Sequence, residues 1–394
     1  MPPQLPRMLV APDSFKGSLD APDVCAAIAQ GIRQALPDGA YIAQVPMADG
    51  GEGTLDTLTA AGDFEQRRCP AHDPLGRPVT ARYAVSRAQN RAVVELADAS
   101  GLTRLTEAER DPLRASTGGT GEVIRQALTD LRPSGEVLLC LGGSATNDAG
   151  AGLLSALGVR FVDEAGQPLP PGGLALGRLH QLDLSGLLPQ ARQTRFRVAC
   201  DVTHPLTGPE GASAVFGPQK GASAEDVGQL DAALERFAGV VSAQLGQDVR
   251  EIPGAGAAGG TAAGVLAVLG ARLEPGAALV AEASGLNRRV AEEHWHLIWT
   301  GEGRLDHQSR HGKVVSAVSA LARQHGIAVV ALAGAVEPGA TESVPGLTAA
   351  FAIAPGPLDL NESRARTAEL LSLQAAQVTR LWWAVRGVQP IQST

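Results

Sequence analysis

The sequence predicts a two-domain α/β protein, and three observations carry that prediction. The chain has 394 residues, more than one ordinary core accommodates and enough for two substantial ones. Short apolar runs that end in glycine turns and lead into helical patterns recur near both ends. Between them, residues 64–96 alternate over short runs punctuated by Pro and Gly, as antiparallel strands do. One domain is therefore expected to be inserted into the other.

Residues 8–11 (MLVA) read as a buried strand, followed by a turn and a helix with Asp20 as N-cap and Pro22 in its first turn. Val24, Ala27, Ile28, Gly31, Ile32 and Ala35 form the apolar stripe of that helix. A strand at 41–46 runs into ADGGEGT (48–54), and a helix follows over 55–61. Helix–strand alternation resumes at 118–163, with EVLLCLGG (136–143) containing a fully buried strand. Ser223 and Asp226 form a capping-box pattern ahead of Val227, Leu230, Leu234, Phe237 and Val241. WHLIWTGEG (295–303) then reads as strand and turn, 313–325 as helix, IAVVALAG (327–334) as strand and turn, and 362–386 as a closing helix. This order is the grammar of a parallel sheet that binds ligands at its strand C-terminal ends.

Composition narrows the function. The net charge is −8 and no basic stretch could neutralise a run of phosphates, which argues against nucleic acid. Aromatic residues make up 3%, leaving few rings for a base to stack on. Cys25, Cys69, Cys140 and Cys200 are far apart and form no CxxC pair, so they read as buried thiols in a reducing compartment. The N-terminal string MPPQLPRMLVAP has no apolar h-region, and the apolar run near 327–336 is too short to span a membrane. A cytoplasmic protein with no membrane partner is expected; homo-oligomerisation stays open.

Of the 33 Lys and Arg residues only Lys16, Lys220 and Lys313 are lysine, and each touches a glycine in a polar string: PDSFKGS, FGPQKGA and HGK. Lysine supplies a compact, mobile ammonium where arginine supplies a planar fork, so these three point to an anion, with phosphate the first choice. Phosphoryl transfer also needs metal-holding oxygens, a cradle of N–H groups and a group to orient the acceptor. DGGEG (49–53) offers Asp49 and Glu52, and GEGRLD (301–306) offers Glu302 and Asp306, carboxylates among glycines that suit Mg²⁺. LGGSATNDAGAG (141–152) sets Gly142, Gly143, Ser144, Thr146 and Asn147 between a strand and a helix; ASTGGTGE (115–122) does the same with Thr117, Gly118 and Gly119. Asp201 directly follows the strand FRVAC as a candidate base or metal ligand. GAGAAG (254–259) fits GxGxxG after a poor strand and is a weak dinucleotide signal; HGK is no P-loop, because His307 stands where the P-loop glycine belongs.

Together, APDSFKGSL, ADGGEGT, STGGTGE, GGSATNDAGAG, CDVTHPL, FGPQKGA, PGAGAAGG and TGEGRLDHQS…HGK resemble the type 1 glycerate kinase family over almost the whole chain. The resemblance implies a Rossmann or flavodoxin-like domain from both chain ends (1–68 and 285–394), an inserted restriction-endonuclease-like α/β domain (69–284), and an active site in the cleft between them. It implies Mg²⁺ and ATP, glycerate as acceptor, and a phosphoglycerate product, usually the 2-phosphate in this family. Its motifs coincide with Asp13, Ser14, Lys16, Asp49, Glu52, Ser144, Thr146, Asn147, Asp148, Asp201, Lys220, Glu302, Asp306 and Lys313. His204, Ala149 and Val315 depart from the pattern, standing where the family has Asn, Gly and Pro.

The expected chemistry is in-line transfer of the ATP γ-phosphoryl group to a glycerate hydroxyl. Lys16, Asp49 and Asp201 are the expected catalytic groups. Asp13, Ser14, Lys220, Lys313, Ser144, Thr146 and Asn147 contact substrate or phosphate, and Thr117, Gly118, Gly119, Gly142 and Gly143 the nucleotide. The metal is held by Asp49 and Glu52 or by Glu302 and Asp306. Two alternatives remain: an NAD-dependent oxidoreductase using the 254–259 turn, and a non-catalytic sugar-acid sensor.

Overall fold

The structure is a computed structural model that describes residues 5–36, 38–306 and 313–386. His311 and Gly312 of the HGK string lie outside that range, as does His307. In chain order the strands are β1 (Arg7–Val10), β2 (Tyr41–Gln44), β3 (Glu65–His72), β4 (Pro78–Ser86), β5 (Arg91–Glu95), β6 (Glu136–Cys140), β7 (Arg160–Val162), β8 (Gln181–Asp183), β9 (Arg195–Ala199), β10 (Arg272–Glu274), β11 (Leu297–Leu305), β12 (Val329–Val336) and β13 (Ala349–Ala352). Contacts divide the chain into two compact units: residues 1–49, 56–61 and 277–394, and residues 50–55 and 62–276. The fold is mixed α/β. No helix among the described residues is long and apolar enough to cross a membrane.

The first unit holds one five-stranded sheet in the order β2-β1-β11-β12-β13, with every adjacent pair parallel. Counted within the unit this is the order 2-1-3-4-5, that of doubly wound sheets of the flavodoxin type, whose switch point falls between β1 and β11. Both faces of the sheet are covered, which explains the near-continuous apolar strands. Met8, Val10, Leu297 and Trp299 pack with Val24, Ile28, Leu370 and Leu371 on one face; Leu305, Ala331 and Val315 pack on the other. Helix Ala21–Ala35 starts as its sequence predicts, the Asp20 carboxylate accepting the Asp23 N–H at 2.9 Å with proline in the first turn. A cap of this kind contributes about 1 kcal/mol.

Two expected boundaries move. WHLIWTGEG (295–303) reads as a strand ending in a turn, yet β11 runs through Leu305, with Gly301 opposite Leu332 and Glu302 opposite Ala333. The glycines permit close strand approach here: a Cβ on Gly301 would stand 2.2 Å from the Leu332 carbonyl oxygen. The closing helix is two helices, Leu360–Ala365 and Thr367–Arg386.

The second unit contains a six-stranded mixed sheet, β10-β9-β6-β5-β4-β3, parallel from β10 to β5 and antiparallel from β5 to β3. Its core gathers Val94, Leu139, Val198, Ile124, Leu153, Leu234 and Phe237. The capping box at Ser223 and Asp226 opens the 22-residue helix Ala224–Leu245. Residues 254–260 form turns ahead of helix Thr261–Leu269, with no strand before them. Their glycines serve packing: added Cβ atoms would lie 2.2 Å from the Pro205 carbonyl oxygen at Gly256 and 2.1 Å from that of Thr146 at Gly259. Ala149 adopts φ 49° where the family pattern carries glycine, so a residue with a Cβ sits in left-handed backbone.

Gly259→Ala is expected to cost about 2–3 kcal/mol, because the clash is with backbone and φ is also positive. Urea denaturation measures it; unchanged stability would return these glycines to a ligand-binding role.

Candidate active site

In the first unit the C-terminal ends of β1 and β11 open onto a cavity of about 540 Å³. Main-chain pairing continues past both strands: Ala11 N–H donates to Trp299 O at 2.7 Å and Asp13 N–H to Gly301 O at 2.9 Å. This extension brings Asp13, at the head of the DSFKGS turn, beside Glu302 on β11, both 7% exposed. The turn closes on itself through Phe15 and Leu19 and presents Lys16 to the cavity. Asp49, Asp306 and Lys313 also line it. Lys313 is the N-cap residue of helix Val314–Gln324. Ser14 donates its N–H to Asp13 Oδ1 at 2.6 Å.

Carboxylates gather around Asp13 on one side of the cavity. Lys16 Nζ donates to Asp49 Oδ2 at 2.9 Å from a side chain that is 74% exposed. Burial works against the charged Lys16 ammonium, but Asp49, then Asp13 and Glu302, outweigh it and raise its pKa. Asp13 shows the other side of the balance. Burial, reinforced by the charges of Asp49 and Glu302 and opposed by the Ser14 N–H and Lys16, raises its carboxyl to about 7. Buried carboxylates that repel one another attract a cation.

The other expected site residues belong to the second unit. Lys220, expected to contact phosphate, is 1% exposed, and its ammonium donates to Ser144 Oγ at 2.9 Å and Thr146 O at 2.7 Å. Burial lowers its pKa to about 7, opposed by the charge of Asp148. With these two internal acceptors the lysine braces the loop that carries Ser144 and Thr146. Ser144, Thr146 and Asn147 are likewise interior, and Asn147 donates to Ser213 Oγ at 3.0 Å. Asp148, fully buried, accepts from Thr117 N and Oγ1, each at 2.9 Å, and from the Gly150 and Gly152 N–H groups. Thr117 is therefore tied down, and Gly119 packs so closely that a Cβ would stand 1.8 Å from His72 O. Gly118, half-buried, lines a separate cavity with Arg114 and Ser116. Gly142 and Gly143 are exposed, with Glu52 beside Gly143. Asp201 is exposed after β9, and its Oδ1 accepts the Gly276 N–H at 2.9 Å.

A family model described as the glycerate kinase family matches residues 8–383. The chain belongs to that family. A glycerate kinase from Halalkalibacterium halodurans is 41% identical over 373 residues, covering 94% of this chain and 97% of the relative. The glycerate 2-kinase of Escherichia coli K12 is 44% identical over 333 residues, 84% and 85% of the two chains. A crystal structure provisionally described as glycerate kinase 2 from Salmonella typhimurium LT2 superposes with a TM-score of 0.87 at 39% identity, covering 98% of this chain and all of that one. By this membership the chain is a kinase.

For a glycerate kinase family member the cavity also contains groups that sequence reading missed. Arg304, Arg364, Ser18, Ser363 and Thr367 line it. Ser363 and Arg364 come from the short helix Leu360–Ala365 and Thr367 from the start of Thr367–Arg386, Ser18 lies against them, and no sequence motif marks these helices as site-bearing. Among the described residues no three His, Cys, Asp or Glu side chains form a metal cage. Mg²⁺ rarely uses one; it binds through one or two carboxylates, waters and substrate phosphates, which the carboxylates around Asp13 fit.

The raised Asp13 pKa predicts a pH-dependent instability of metal-free protein. The folded state holds this proton more tightly than the unfolded state, so stability falls as pH rises from about 4 and the penalty is complete above about 7. Asp13→Asn should therefore exceed wild type by up to about 4 kcal/mol at pH 8 in EDTA and by almost nothing at pH 4. Denaturant titrations at both pH values, with Mg²⁺ then added at pH 8 to narrow the gap, measure it. A gap that does not change with pH would remove the account.

Proposed function

We propose that the chain transfers the γ-phosphoryl group of ATP to the 2-hydroxyl of glycerate, giving 2-phosphoglycerate. The observation that carries this reading is the cavity at the β1/β11 switch point, where Lys16 stands among Asp13, Asp49 and Glu302. Family membership supports the substrate, and the name of the Escherichia coli relative supports the 2-position.

In this reading Lys16 leaves Asp49 to meet the transferring phosphoryl group, whose charge its exposed ammonium can follow. Lys313, at the helix Val314–Gln324 N-terminus, takes a further phosphate oxygen. Asp49, Glu302 and Asp306 are the residues that would hold Mg²⁺, which when bound supplies charge neutralisation and ordering of the phosphate oxygens. Asp13 and the Ser14 hydroxyl border the acceptor.

Asp201 orients the acceptor hydroxyl; its place after a parallel strand and its hydrogen bond from Gly276 support that role. The exposed Gly142 and Gly143 approach the nucleotide, with Glu52 as a further metal-side carboxylate. Thr117, Gly118 and Gly119 set the start of helix Gly118–Asp130 behind them, and Lys220 fixes Ser144 and Thr146. The domains are read as 1–68 with 285–394 and as 69–284, and the compartment as cytoplasmic.

Incubation with D-glycerate and Mg-ATP, followed by ³¹P NMR, is expected to give ADP and 2-phosphoglycerate; a 3-phosphate product overturns the position, and no product overturns the reaction. Lys16→Met and Asp201→Asn, checked for folding, should each lower kcat by about 10²-fold or more. Wild-type turnover by either variant removes that residue's role.

A further inference from the structure

The cavity holds one cation that no sequence motif marked and whose guanidinium is not ion-paired. Lys16 is bound to Asp49, and Arg304 to Glu337. Arg364 lines the same cavity, and no ion pair ties it to a carboxylate among the described residues.

Its placement is specific. The guanidinium lies over Gly17, the residue after Lys16: Cζ and Nη2 stand 3.8 Å, and Nε 4.0 Å, from the position a Cβ would take there. Three atoms of the plane nearly equidistant from one point mean that the group lies face-on to the turn, which leaves its N–H edge for an acceptor in the plane. The helix that carries it is tied to the same turn, since Ser18 Oγ donates to Arg364 O at 2.8 Å and makes a 2.6 Å contact with Thr367 Oγ1. The glycine supplies the clearance, and the serine holds the helix at that height.

We propose that Arg364 binds the carboxylate of the acceptor substrate. This deepens the glycerate reading and rests on it. A planar fork matches a carboxylate through two parallel N–H···O bonds, whereas a lysine offers a point charge suited to a moving phosphoryl group. The cavity thus divides the acceptor's two polar ends: the carboxylate lies on Arg364, which places the carbinol oxygen of a small 2-hydroxy acid toward Lys16 one residue away. Arg364 is therefore a specificity residue that selects glycerate over uncharged three-carbon polyols and aldehydes.

The test uses the full chain, with initial rates measured against D-glycerate at saturating Mg-ATP and against ATP at saturating glycerate. Arg364→Gln should raise KM for glycerate by at least about 30-fold, with KM for ATP within 2-fold of wild type and kcat within about 5-fold. Arg364→Lys, which keeps the charge and loses the fork, should fall between the two. Arg366→Gln on the adjacent turn, paired with Glu362 and Glu369, serves as a control at wild-type values. An unchanged KM for glycerate overturns the proposal, as does a rise confined to ATP, which would make Arg364 a nucleotide contact. Should Arg364→Gln not fold, a wild-type KM for Arg364→Lys overturns it equally. If wild-type protein itself leaves glycerate unphosphorylated, the glycerate reading fails first, and the two failures are separable.

Discussion

The parallel pairing of β1 with β11 is the constraint on which the candidate site depends. Its register sets Val10 opposite Trp299, and main-chain bonds carry the pairing onward to Asp13 and Gly301. Because β1 then leaves toward β2 and β11 toward β12, the two connections diverge and open a crevice at their tips. Thr300 reinforces the junction from within, its hydroxyl donating to Ala11 O at 2.9 Å. A slip of one residue would turn Asp13 and Glu302 to opposite faces of the sheet and dissolve the carboxylate cluster.

The cluster is costly to fold and useful once folded. Asp13 and Glu302 are almost completely buried, and Asp49 is near enough to raise the Asp13 pKa. Lys16 relieves the cluster through its ion pair with Asp49, from a side chain that is 74% exposed. Such a site is least stable when empty and gains most from a ligand that brings its own positive charge.

Much of this was legible in the sequence, and the failures share a cause. Apolar runs ending in glycine located the strands, and the DSFKGS, DGGEG and GEG strings located the three acids that gather around Lys16. The burial of Lys220 was not legible, because a polar string looks the same whether its side chains face a ligand or an interior loop. GEG (301–303) was misread because glycine permits both a turn and a close strand pair, and β12 decides which one forms. Arg364 stayed hidden among thirty arginines, since its meaning comes from Gly17, which is 347 residues away in sequence.

The same β1–β11 pairing shapes how the chain is made. Met8 pairs with Leu297, so the first strand leaves the ribosome long before the neighbour that completes its sheet exists. At ordinary synthesis rates that interval is about 15–60 s. The second unit is wholly encoded within it and can fold first, while β1 and the helix Ala21–Ala35 wait with an apolar face uncovered. The nascent chain therefore passes through a stage in which the apolar face of its amino-terminal segment has no partner, and the crevice between β1 and β11 is among the last parts of the protein to come into being.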